Sequence, residues 1–131
     1  MDSPKKTASG NARNELVNLF VLDAISDDYE DMERIANEVH SLGSRCGLSV
    51  TDDDISQGLI TLITRGLAKA YRLYPSHRPP EEIQGVPQPG NFPDLYFLIT
   101  DKGTELQLAG WDQWPFDENN ELRKDWSPPS N

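Results

Sequence analysis

The hydrophobic period of the sequence changes at Gly66, and this change constrains the fold more than any other feature. Between Ile55 and Ile63 the apolar residues recur at the spacing of one face of an α-helix. In residues 67–74 apolar and polar residues alternate, as they do in a β-strand. The sequence therefore predicts a helix that ends at Gly66 and passes directly into a strand, since glycine is a common helix terminator.

Two helical patterns precede this segment. Residues 14–26 carry a broad apolar face, which predicts a first helix. Asp31 is the expected N-cap of a second helix with a single apolar stripe, and Gly43 is its expected C′ residue. Thr51 is the expected N-cap of the third helix, with Asp54 in place of the glutamate of a capping box.

The second half of the sequence predicts a hairpin with a long connection. Six prolines lie between Pro75 and Pro93, so no regular structure is expected there. Residues 94–100 are rich in aromatic and β-branched residues and predict the returning strand, after which Thr100 caps a short helix. This order indicates an α+β protein, mainly α, with a three-helix core and a two-stranded ribbon at one edge.

Three segments carry a resemblance to the winged helix-turn-helix family of bacterial regulators. "DMERIANEV" resembles the second helix of that family, "ISQGLITLITRGLAKAYRL" its recognition helix and first wing strand, and "YFLITDKGTEL" its second wing strand and following helix. The resemblance implies a winged helix domain over residues 14–110, with a two-stranded β wing whose loop is 75–93. Residues 1–13 are then expected to form a flexible basic arm, and residues 111–131 an acidic, tryptophan-containing C-terminal extension.

The resemblance also implies a function. In that family the third helix enters the DNA major groove and the wing contacts the DNA backbone. A bacterial DNA-binding transcriptional regulator that binds double-stranded DNA is therefore the first hypothesis. Its candidate DNA-binding residues are Gln57, Thr61, Thr64 and Arg65 in the groove, and Lys69, Arg72, His77 and Arg78 on the backbone.

Charge favours a second hypothesis. The chain has 12 Lys and Arg against 22 Asp and Glu, a net charge of -10, which opposes binding to phosphates. The third helix begins with three aspartates, the connection 43–50 is longer than in a typical helix-turn-helix, and Glu81 and Glu82 offset Arg78 in the wing loop. The alternative is a winged helix protein-protein interaction module without DNA binding. Its candidate partner-binding residues are Asp53, Ile60, Trp114 and Trp126.

The remaining function classes have little support in the sequence. The two histidines and the single cysteine, Cys46, lack the spacing of a zinc site, and no phosphate-binding glycine loop or nucleophile elbow is present. We therefore expect no enzyme, metal or cofactor. The apolar runs are too short to span a bilayer and no secretory signal is evident, so a cytoplasmic protein without membrane contact is expected. A homodimer through the first helix or through residues after Thr104 stays open.

Overall fold

A computed structural model describes residues 3–129, with side chains from residue 12 onward. Its fold is α+β, as predicted. The helices are α1 (Ser3–Ala24), α2 (Met32–Cys46), α3 (Asp52–Thr64) and α4 (Asp101–Ala109), with short 3₁₀ helices at Pro89–Asp94 and Trp111–Gln113. The strands are β1 (Glu30–Asp31), β2 (Ala68–Arg72), β3 (Glu81–Glu82) and β4 (Tyr96–Ile99).

Helix α1 begins well before the predicted start at Asn14. It includes residues 3–13, which the sequence analysis assigned to a flexible basic arm. This segment lacks the apolar stripe that indicates a helix, but its alanine, lysine and arginine residues have good helix propensity. The side chains of Lys5 and Lys6 lie outside the described residues. Arg13 is described, and its guanidinium contacts α3 and the chain before it.

The three predicted N-caps are confirmed. The Asp31 carboxylate accepts a hydrogen bond from the Arg34 amide at 2.9 Å, and the Thr100 hydroxyl accepts one from the Gly103 amide at 3.1 Å. At α3 the capping box is complete in both directions, because the Thr51 hydroxyl accepts from the Asp54 amide while the Asp54 carboxylate accepts from the Thr51 amide. Each cap satisfies amides that a helix start leaves unpaired.

The prediction that Gly43 ends α2 is wrong. The helix continues to Cys46, and Gly47 takes the left-handed conformation, with φ of 78°. Gly43 is buried inside the helix for another reason: a Cβ atom there would stand 2.6 Å from the Leu48 carbonyl oxygen. The glycine lets the chain turn back closely against α2. The connection between α2 and α3 is therefore shorter than the predicted segment 43–50.

The sheet has four antiparallel strands in the order β1-β4-β2-β3, rather than the predicted two. The pairing of β2 with β4 was predicted; β1 and β3 were missed because each has only two residues. The loop 75–93 is also more regular than its prolines suggested. Pro89 stands in the first turn of the 3₁₀ helix, where its missing amide costs nothing, and Phe92 buries its ring edge-on against Phe97.

The core forms where α1 packs against α2, α3 and α4. Its largest fully buried side chains come from every part of the described chain, including Phe20 of α1, Ile35 of α2, Leu59 of α3, Phe97 of β4 and Phe116 of the C-terminal segment. The C-terminal residues are thus part of the same core. This arrangement leaves one long face of α3 to the solvent.

Candidate functional site

The exposed face of α3 is the face that the sequence analysis predicted. Ile55, Leu59 and Leu62 are fully buried, which turns the opposite side of the helix outward. The candidate residues of α3 lie together on that side or at its margins: Asp53, Gln57, Thr64 and Arg65 are exposed, and Ile60 and Thr61 are half-buried. The face offers amide and hydroxyl groups for hydrogen bonding, with charges at its two ends.

The N-terminal end of this face is acidic. Asp52 and Asp53 are exposed, and the Asp52 side chain is 83% accessible. The His40 Nε2 atom lies 2.7 Å from the Asp52 Oδ1 atom and links α2 to α3. Negative charge here stabilises the helix through its dipole, but it repels a phosphate backbone.

Asp54 is the aspartate of the three that pairs with an arginine. Its carboxylate accepts a hydrogen bond from the Arg13 guanidinium at 2.8 Å and one from the Thr51 amide at 2.9 Å. Burial acts to raise the pKa of Asp54, but these hydrogen bonds outweigh it and hold the pKa below its ordinary value of 3.8. Asp54 therefore joins α1 to the start of α3 as an anion.

We expect the Asp54→Asn variant to lose about 1 kcal/mol of unfolding free energy at neutral pH. Because the pKa of Asp54 is lower in the folded state, the stabilisation is present above 3.8 and is lost as the pH falls through the folded pKa. Urea unfolding between about pH 7 and about pH 2 should show the difference from the wild type shrinking at the acid end. Asp53→Asn is the matched control, and an equal loss in both variants at every pH would contradict the assignment.

Two of the cations that were predicted to contact DNA form ion pairs within the chain. The Arg65 guanidinium lies 3.4 Å from the Glu15 carboxylate, and the Lys69 ammonium lies 3.2 Å from that of Glu82. Arg72 stands opposite Glu81 in the register of β2 and β3. Part of the positive charge beside α3 and along β2 is therefore offset by acidic side chains of the same chain.

The hairpin end beyond β2 holds the other two predicted contacts. The Arg78 guanidinium stacks over the Tyr74 ring, 3.9 Å from its centroid, and the Tyr74 hydroxyl donates a 2.6 Å hydrogen bond to Glu81. This hydrogen bond raises the pKa of Tyr74. His77 is exposed next to this cluster. Arg72, His77 and Arg78 therefore all lie at or beyond the end of β2, in the hairpin. The hydrogen-bonding candidate residues lie earlier in the chain, on α3.

A groove lies on the flank of α3 that faces α2 and the 3₁₀ helix Pro89–Asp94. Its volume is about 350 Å³. Apolar side chains line its inner part, and acidic side chains stand at its edge; we call it the acidic groove, and its lining residues are Met32, Glu33, Ala36, Asp52, Ser56, Pro89, Phe92 and Pro93. This groove was not predicted, because the prolines of residues 75–93 indicated an irregular loop. The sequence signal for an ordered segment here was Phe92, an aromatic residue between Pro89 and Pro93.

Trp114 and Trp126 pack against the core. The Trp114 ring meets the edge of Phe20 with centroids 5.4 Å apart, and the Trp126 indole donates a 3.0 Å hydrogen bond to the Cys46 carbonyl at the end of α2. Both rings are half-buried. Both tryptophans therefore fold back on the domain, and their contacts leave only part of each ring for a partner.

Comparisons with protein families, curated proteins and solved structures find no match. The function of this chain therefore has to be argued from its own surface. Within residues 12–129, no group of three or more His, Cys, Asp and Glu side chains is arranged to hold a metal ion. Of the helices that the structure describes, none combines the length and apolar character needed to cross a bilayer.

Proposed function

We propose that this chain is a winged helix domain that binds a basic segment of a partner protein in the acidic groove. The winged helix assignment rests on the order of the elements, with α2 and α3 adjacent and α3 passing directly into the antiparallel pair β2 and β4. Gly66, which takes a left-handed conformation with φ of 76° between α3 and β2, supports the winged helix assignment as well. A cytoplasmic location agrees with this proposal.

The composition of the acidic groove carries the functional part of the proposal. Its inner surface combines the partly buried Met32 and Ala36, with the buried Phe92 beneath them, and suits an apolar anchor side chain. Its edge carries Glu33 and Asp52, which suit the lysine or arginine residues that flank such an anchor.

Two of the predicted partner-binding residues adjoin this groove. Asp53 follows Asp52 in the first turn of α3, and Ile60 lies one helical turn beyond Ser56 on a half-buried side of the helix. A basic peptide lying across the groove would reach both. Trp114 and Trp126 are not part of this contact, because their rings pack against the domain's own core.

The test is a fluorescence anisotropy titration with a labelled peptide that alternates lysine and leucine. We expect micromolar binding that weakens as salt is added, since the charged edge contributes by screened attraction. The variants Glu33→Lys and Ser56→Trp, which reverse the edge charge and fill the groove, should each weaken binding about tenfold or more. Glu105→Lys, an exposed charge reversal on α4, should bind like the wild type. Equal binding by all three variants would disprove the groove as the contact.

DNA binding is the second candidate function, and one observation favours it. Gln57, Thr61 and Thr64 share the outer face of α3, where amides and hydroxyls can bond to base edges. Arg72 and Arg78 could contact the backbone from the hairpin. A labelled random duplex at low salt serves as the second arm of the same titration. If the protein binds the duplex, and the affinity falls in both Arg72→Ala and Arg78→Ala, this function is favoured over the first.

A further inference from the structure

A second groove, of about 410 Å³, lies between α1 and α3 on the opposite flank of α3 from the acidic groove. We call it the α1–α3 groove. Gly58 lies at the floor of this groove, where α1 and α3 approach each other closely. A Cβ atom at this position would stand 3.1 Å from the Asn18 side-chain oxygen and 3.6 Å from a Val21 methyl. The glycine lets the two helices meet closely at the floor while their polar side chains separate above it.

Asn18 is the polar side chain at that floor. It is only 6% exposed, and it is the one buried polar residue among residues 12–129. The side-chain hydrogen bonds around it join other groups, namely Arg13 to Asp54 and Arg65 to Glu15. No buried side-chain nitrogen or oxygen among the described residues is left without a partner, and Asn18 lines the groove, so its amide is placed to bond to a molecule bound there.

The walls extend this polar surface. Asn14 from α1, and Gln57 and Thr61 from α3, line the groove with further hydrogen-bond donors and acceptors. The described lining contains no aromatic ring on which a planar base or an aromatic ligand could stack. A groove of this volume suits one small ligand that is polar throughout.

Opposite charges stand side by side at one end of the groove. Arg65 and Glu15 form an ion pair at 3.4 Å, and their side chains are 51% and 41% exposed. This pair is longer and more exposed than the 2.8 Å pair between Arg13 and Asp54. A ligand that carries one positive and one negative group can satisfy both charges of such a pair at once.

We infer that the α1–α3 groove binds a free α-amino acid with an uncharged polar side chain. Arg65 receives the ligand carboxylate and Glu15 its ammonium group, while Asn18 and Gln57 bond to its side chain. This site is independent of the acidic groove, so each can fail without the other.

Isothermal titration calorimetry on the full chain tests the ligand class. The probes are L-serine, L-threonine, L-asparagine and L-glutamine, with L-leucine as the apolar comparison. We expect at least one polar amino acid to bind, and its N-acetyl and carboxamide derivatives to bind about tenfold more weakly because each removes one charge. No binding by any of the four, or unchanged binding by the two derivatives, would overturn the inference.

Two variants test the location of the amino-acid site. Arg65→Gln should weaken the free amino acid about tenfold but leave its carboxamide derivative unaffected, whereas Gln57→Ala should weaken both. Arg34→Gln is the matched control, because its ion pair with Glu30 lies outside the groove. Circular dichroism verifies that each variant is folded; Gln57 and Arg65 are exposed, so the fold should tolerate both changes. Wild-type affinity in both groove variants would place the ligand elsewhere and refute the site.

Discussion

Replacing Phe116 with alanine is expected to lower the free energy of unfolding by about 3–5 kcal/mol, although the residue belongs to the C-terminal segment. Its ring is 1% exposed. The Arg45 guanidinium lies 4.1 Å from the ring centroid, and the Trp114 ring packs edge-on at 6.1 Å. Alanine would remove this large buried surface and leave a cavity between α2 and the C-terminal residues.

The free energies of unfolding of Phe116→Ala and of the control Trp111→Ala should be compared by urea unfolding. Trp111 is also aromatic and lies in the same segment, but it is 56% exposed, so its loss should change the unfolding free energy by no more than about 0.5 kcal/mol. Similar, small losses in both variants would mean that residues 111–129 do not pack on the domain as described. A large loss at Phe116 alone would establish that the segment is part of the folding unit.

The helix boundaries that depend on local chemistry could be predicted from the sequence. The α3 capping box joins Thr51 and Asp54, which are three residues apart, so both partners are visible in one short stretch. The outer face of α3 follows from helical periodicity alone, and Gln57 and Thr64 are exposed as predicted.

The features that were missed depend on contacts between distant parts of the chain. β1 is a strand only because Glu30 and Asp31 pair with Phe97 and Tyr96, and no two-residue segment carries a period of its own. Gly43 lies inside α2 because the chain at Leu48 returns against it, whereas its position in the sequence suggested a helix end. Tertiary contacts of this kind override local signals.

The same reason explains why the candidate site was only partly predicted. The cations of the proposed DNA face were recognised, but the acidic residue that each of them pairs with was not. Arg65 pairs with Glu15, which is 50 residues earlier, and Lys69 pairs with Glu82 across the hairpin. Sequence alone shows the number of charges, and the fold decides which of them cancel.

Gly103→Ala is expected to destabilise the domain by about 3 kcal/mol, which is large for the addition of one methyl group. Gly103 is buried in the first turn of α4. A Cβ atom there would collide with the Leu67 carbonyl oxygen and stand 2.7 Å from a side-chain carbon of Ile99. The carbonyl cannot move away easily, because it accepts a 3.1 Å hydrogen bond from the Thr100 amide and belongs to the exit from α3 into β2.

Thermal and urea unfolding of Gly103→Ala should be compared with Gly90→Ala, where a Cβ atom would meet nothing within 4 Å. The control should retain wild-type stability or gain up to about 1 kcal/mol, since alanine restricts the unfolded chain more than glycine does. If Gly103→Ala is as stable as the control, α4 does not dock against the exit of α3. If Gly103→Ala is destabilised, the close approach of α4 to Leu67 explains the glycine of the "DKG" segment. This approach holds the hairpin beside α3, whichever ligand α3 binds.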